Sequence, residues 1–143
     1  MTEKFQVRFL EEAAQFLDSL DEKTRDKVIY NVTKAKSSND KELFKKLKGE
    51  IWEFRTLFNK IHYRLFAFWD KTENPKTVVI STHGIIKKTD KTPLGDIEKA
   101  ERIRKRYFEL KISGNETSHE DYFSHRRMII GEYHMAIKKN KNI

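Results

Sequence analysis

The chain has 143 residues, of which 30 are Lys or Arg, 22 are Asp or Glu and none is Cys, for a formal net charge of +8. That length suits one domain, or one domain with an appendage, and the absence of thiols excludes disulfides, iron–sulfur clusters, thiolate zinc sites and a cysteine nucleophile. With 37% hydrophobic and 36% charged residues the core has to be compact and the surface densely charged, and the excess of cations favours a polyanion or an acidic protein as partner.

Lys4 to Phe9 reads as a short strand, with Phe5, Val7 and Phe9 on one face. Leu10, Ala13, Ala14 and Leu17 then fall at helical spacing, while Glu11, Glu12 and Asp18 point away. Asp21 is placed to cap a second helix from Glu22 to about Lys36, with Val28, Ile29 and Val32 as its inner stripe, so the two helices form a hairpin. Ser37-Ser38-Asn39-Asp40 interrupts the pattern, and Asp40 is expected to cap a last helical turn through Leu47.

The apolar period then shortens to that of a strand. Glu50–Leu57 and His62–Trp69 alternate like adjacent strands around a turn near Asn59-Lys60. In the second, Tyr63, Leu65, Ala67 and Trp69 share one face, and His62, Arg64, Phe66 and Phe68 share the other. After a turn over Asp70–Pro75, Thr77–Thr82 is a β-branched third strand, and the three make an antiparallel meander. Thr92 as cap and Pro93 at the first position begin a further helix, lined by Ile97, Ala100, Ile103 and Tyr107 to about Leu110. Beyond Ser113-Gly114-Asn115, Ser118–Lys138 reads as one more helix with a stripe of Tyr122, Ile129, Tyr133 and Ile137, followed by a polar tail.

No apolar run approaches the roughly 20 residues of a membrane span. The first residues carry acids and no continuous apolar stretch, so no secretory signal is expected and the expected location is the cytoplasm. None of the five histidines makes an HxxxH or HExxH pair, so no metal site is expected. Neither GxGxxG, GxxxxGK[ST] nor GxSxG occurs, which leaves phosphate-loop nucleotide binding and serine acyl transfer without support.

The informative stretch is Lys45 to Lys91. It holds Lys45-Lys46-Leu47-Lys48, Glu53-Phe54-Arg55, Tyr63-Arg64 and His83-Gly84-Ile85-Ile86-Lys87-Lys88. In a meander, Arg55, Arg64 and Lys87 or Lys88 converge on one side of the sheet. Such a cluster is costly unless an anion or a carboxylate neutralises it. Two readings follow. Arg64 pairs with Glu53 and holds the hairpin together, or the cations receive a phosphate. Tyr63, Trp52 and His83 each offer a ring face for a base, although the aromatics of these strands also suit a core.

These residues resemble the RelE/HigB toxins of type II toxin–antitoxin systems, in particular the phage-derived HigB-like branch of the RelE/ParE superfamily. The resemblance runs through Leu47-Lys48-Gly49-Glu50-Ile51-Trp52-Glu53-Phe54-Arg55, Tyr63-Arg64-Leu65-Phe66, Thr82-His83-Gly84-Ile85-Ile86-Lys87-Lys88-Thr89, Lys91-Thr92-Pro93, Ile97, Ala100 and Tyr107, and it covers roughly residues 4–108. It implies an α+β fold in which a small antiparallel sheet is packed by an N-terminal helical hairpin and C-terminal helices. It also implies a toxin domain over 1–110 with a C-terminal helical extension over 111–143.

The activity implied is a ribosome-dependent endoribonuclease, an mRNA interferase, working with no metal and no organic cofactor. The RNA's 2′-hydroxyl attacks the adjacent phosphate and expels the 5′-oxygen. The protein assists removal of the hydroxyl proton, stabilises the phosphorane-like state and protonates the leaving group. By this resemblance Arg64 is the phosphate-binding arginine, Arg55 a second clamp, and Lys87 or Lys88 the basic residue for transition-state charge or leaving-group protonation. Lys45, Lys46, Lys48, Tyr63 and Lys91 are the expected RNA contacts. RelE has lysines where Ile51, Trp52 and Glu53 stand, so Glu53 is a candidate general base as well as a structural partner of the arginines, and His83 is another candidate acid or base. The implied partners are the ribosome, messenger RNA and a cognate antitoxin of helix-turn-helix DNA-binding type. Two other functions fit the same fold: a ParE-like inhibitor of DNA gyrase, and an inactive relative kept as a binding module. The extension packs on the domain, offers a surface through Arg126, Arg127 and the lysine tail, or covers the active face.

Overall fold

A computed structural model describes residues 4–72, 77–89 and 91–112. The helix expected over Ser118–Lys138, and the part of the C-terminal extension past Ile112, lie outside the described residues, as does the end of the turn expected over Asp70–Pro75.

Asp21 caps as expected: one carboxylate oxygen accepts from the Thr24 N–H and the other from the Thr24 hydroxyl, both at 2.9 Å. It separates α1 (Glu11–Ser19) from α2 (Glu22–Ala35) and turns the chain back into a helical hairpin. Ahead of this hairpin lies β1 (Gln6–Phe9), and after it come β2 (Phe44–Lys48), β3 (Ile51–Phe58), β4 (Ile61–Asp70), β5 (Val78–Lys87) and α3 (Leu94–Ile112). The fold is α+β, with five strands in one sheet ordered β1-β5-β4-β3-β2. β1 runs parallel to β5, and the other pairs are antiparallel.

Three expectations need correction. The antiparallel meander is present but is the middle of a wider sheet, because Gln6–Phe9 docks in parallel beside β5 and Phe44–Lys48 adds beside β3. The third strand does not end at Thr82 but runs to Lys87, which places Ile85 and Lys87 beside Arg64 and His62 of β4. The last helical turn through Leu47 is a strand. Asp40 does start a turn, since its carbonyl accepts from the Leu43 and Phe44 N–H groups at 3.0 and 3.1 Å. The Phe44 ring, however, stacks on Phe54 and Trp52, with centroids 4.4 and 4.8 Å away, and a continuing helix would take it out of that aromatic cluster.

The β3–β4 turn is Asn59-Lys60, both at positive φ (52° and 66°), a two-residue hairpin turn that pins the register. One sheet face carries Phe54, Tyr63, Leu65, Ala67 and Val79, and α1 and α2 bury it. Contact is closest at Gly84 of β5, where an added Cβ would stand 2.3 Å from the Phe16 ring of α1. The other face carries Ile51, Phe66, Phe68 and Ile80, and α3 covers it with Ala100 and Tyr107. The far end of α3 is tied down by Asp70, which accepts from the Tyr107 hydroxyl, from Lys111 Nζ at 2.6 Å and from the Thr72 hydroxyl at 2.6 Å.

Candidate active site

Side chains directly opposite one another on neighbouring strands share a face. The register therefore sets out three cross-strand rows on the α3 side of the sheet. Lys45, Glu53, Phe66 and His83 lie along one row; Arg55, Arg64 and Ile85 along the next; Leu57, His62 and Lys87 along the last. Arg55 and Arg64 are thus direct neighbours, and Lys87 is diagonal to Arg64 on β5. With strands about 4.8 Å apart, the three cations span about 10 Å from β3 to β5.

One carboxylate joins the two arginines. Glu53 Oε1 is 3.2 Å from Arg64 Nε, and Glu53 Oε2 is 3.6 Å from Arg55 Nε. The Thr92 hydroxyl donates to Glu53 Oε1 at 3.0 Å. Arg55 also donates from Nη1 to the Lys41 carbonyl at 3.4 Å, and Arg64 from Nη1 to the Tyr63 carbonyl at 3.4 Å. Arg64 and Glu53 are buried side chains, whereas the Arg55 side chain keeps 14% of its surface exposed. A guanidinium this deep requires a counter-charge, and Glu53 supplies it. Lys87 is buried as well.

The remaining expected site residues divide by position. His83 is turned towards α3 rather than towards the arginines. Its ring stacks on Phe66 at 4.8 Å, Nδ1 is 2.9 Å from the Thr82 hydroxyl, and Nε2 is 3.3 Å from Asp96 Oδ1. Burial pushes the imidazole pKa below its ordinary 6.5, against the opposing pull of Asp96. Lys88 follows the end of β5 in an exposed bend, and Lys91 is exposed in the connector to α3. On β2, Lys45 stands opposite Glu53 and Lys48 opposite Ile51, on the site face, because the register shifts between Lys46 and Lys48. Lys46 pairs with Trp52 and belongs to the other face.

Tyr63 is a correction. It is buried in the core beneath the helical hairpin, on the face opposite Arg64, and cannot stack a base at this site. The residue that reading by sequence missed is Thr92. It was expected to cap α3, but the helix starts at Leu94, the Pro93 carbonyl accepts from Asp96 and Ile97, and the Thr92 hydroxyl goes to Glu53. The signal for this in the sequence is its place directly after Lys91, shortly beyond the basic run Lys87-Lys88.

Arg55 and Arg64 share the Glu53 carboxylate, and Lys87 lies one residue pair further along the same face, so an anion that displaced Glu53 would meet two guanidinium groups. Among the described residues, no three His, Asp or Glu side chains are grouped to hold a metal ion, and no helix is long and apolar enough to cross a membrane. The family model described as Phage derived protein Gp49-like (DUF891) matches residues 15–105, from within α1 to within α3. No curated protein matches the chain.

Proposed function

Because the chain belongs to the Gp49-like family of phage-derived proteins, within the RelE/HigB-like toxin superfamily, we propose that it is the toxin of a type II toxin–antitoxin system and an endoribonuclease that cleaves messenger RNA on the ribosome. The observation that carries the reading is that Arg55 and Arg64 meet at Glu53 on the sheet face that also carries Lys87, one residue pair further along.

In this reading the scissile phosphate takes over from Glu53 as the anion between the arginines. The 2′-oxygen attacks phosphorus, the bond to the 5′-oxygen breaks, and a 2′,3′-cyclic phosphate remains on the upstream fragment. Arg64 and Arg55 stabilise charge growing on the non-bridging oxygens. Lys87, one pair further along β5, is the acid that protonates the departing 5′-oxygen. Glu53, released from one arginine, is placed to take the 2′-hydroxyl proton. His83 is not given this task, since its ring nitrogens face Thr82 and Asp96. Lys45, Lys48, Lys88 and Lys91 are proposed to follow the RNA backbone. The proposed partners are the ribosome and an antitoxin.

The test is induction of the chain in cells, followed by primer-extension mapping of ribosome-associated transcripts. Discrete cuts that vanish with Arg55→Ala, in a protein whose circular dichroism is unchanged, support the reading. Growth arrest with intact transcripts and inhibited gyrase supercoiling would transfer the protein to the ParE-like function.

A further inference from the structure

Thr92 and Pro93 form a sequence signature for a helix start, yet the Thr92 hydroxyl donates to Glu53, 39 positions earlier in the chain, at 3.0 Å. The oxygen that accepts this hydrogen bond matters. Oε1 also faces Arg64 Nε at 3.2 Å, while Oε2 faces Arg55 Nε at 3.6 Å. The two arginines are direct cross-strand neighbours, and the Glu53 carboxylate faces both. A carboxylate beside one guanidinium prefers to engage it with both oxygens, in parallel bonds. That pose on Arg64 would withdraw Oε2 from Arg55 and break the 3.6 Å contact between them. A second donor on Oε1, beside Arg64 Nε, holds the carboxylate in the divided pose instead.

We propose that Thr92 is a positioning residue, whose hydroxyl fixes Glu53 so that one carboxylate serves Arg55 and Arg64 together and keeps their guanidinium groups at the spacing of a single phosphodiester. The catalytic consequence rests on the ribonuclease reading; the placement of the arginines does not. When the phosphate enters, the groups it meets are already aligned, and alignment acts on the chemical step more than on capture of RNA by the surrounding lysines.

The experiment compares Thr92→Val, which keeps the shape and loses the donor, with Thr92→Ser, which keeps the donor, in the full chain. Cleavage of ribosome-bound message is followed together with the Nε–Hε signals of both arginines by nuclear magnetic resonance. Thr92→Val should lower kcat about tenfold or more with KM within about twofold, and Thr92→Ser should stay near the parent. In the valine variant the Arg55 Nε–Hε signal should move and exchange faster with water, and serine should restore it. If valine perturbs folding, Thr92→Ala repeats the comparison. An unchanged Arg55 signal and kcat in the donor-less variants, or serine as impaired as valine, overturns the proposal. A parent protein that cuts no RNA while Arg55 responds as described removes the ribonuclease reading and leaves the positioning role. A parent that cuts RNA while valine matches it removes the positioning role alone.

Discussion

Arg64 exposes 1% of its surface and Glu53 2%, and that burial decides how the pair responds to mutation. Removing one partner strands a charge away from water, whereas replacing both by apolar groups of similar size removes the problem. Arg64→Met should therefore destabilise the fold by about 3 kcal/mol, and adding Glu53→Leu should recover only part of the loss in urea unfolding, because Glu53 also faces Arg55. Strict additivity of the two substitutions would show that the pair is not coupled. It also follows that lost toxicity in an Arg64 variant is informative only beside a stability measurement, which makes Arg55 the better residue to test for chemistry. His83 is a separate case. Its pKa is lowered in the folded state by burial, so the folded protein favours the neutral ring. The stability that follows is fully present above the ordinary value of 6.5 and is lost as pH falls through the lower folded value. His83→Gln should flatten that part of a stability-versus-pH curve measured between pH 7 and pH 4.

The elements meet at a few unforgiving points. At Gly84 an added Cβ would stand 2.3 Å from Phe16 Cδ2, so β5 approaches α1 as closely as it does only because that position has no side chain. Gly84→Ala should cost about 1–3 kcal/mol, with Phe16→Leu in the same protein returning part of it, as read from thermal melting. A melt unchanged by Gly84→Ala would mean that α1 moves away without loss. α3 is fastened differently. Burial pushes the Asp70 carboxyl upward, but bonds from Lys111, Thr72 and Tyr107 outweigh it and hold the pKa at about 2, below the ordinary 3.8. That contribution is complete above pH 4 or so, disappears as pH falls through about 2, and is of order 1–2 kcal/mol once solvent screening is allowed for. Asp70→Asn should remove this acid-sensitive part and loosen the end of α3, which amide hydrogen exchange at Tyr107 and Phe108 would detect. The helical hairpin and the β3–β4 hairpin were legible because each has a local signal: Asp21 as a cap, Asn59-Lys60 as a turn, and the aromatic-rich run of β4 after it. The strand over Phe44–Lys48 was not, because local capping at Asp40 favours a helical turn and only the stacking of Phe44 on Phe54 and Trp52, residues still to come in the chain, overrides it.

Across the whole molecule a net charge of +8 accompanies a sheet face on which Arg55 and Arg64 share one acid, Glu53. If the ligand is RNA, affinity should fall steeply with added salt, because each phosphate neutralised releases condensed counterions. Binding of a 2′-O-methyl oligoribonucleotide, which cannot attack its own phosphate, should lose about tenfold or more between 50 and 200 mM salt; Lys45→Ala should lessen that slope, and a salt-independent affinity would count against a polyanion partner. Periodicity and charge alone set the residues on each face of β4, the helical hairpin and the bias towards an anionic partner, since these depend on alternation and ionisation that each residue carries with it. The tertiary structure decided that β1 lies parallel against β5, that β5 reaches Lys87, that Tyr63 is turned away from the site and that Thr92 reaches Glu53. Those features are contacts between residues tens of positions apart, and no local preference specifies them until the sheet has closed and brought the partners within bonding distance.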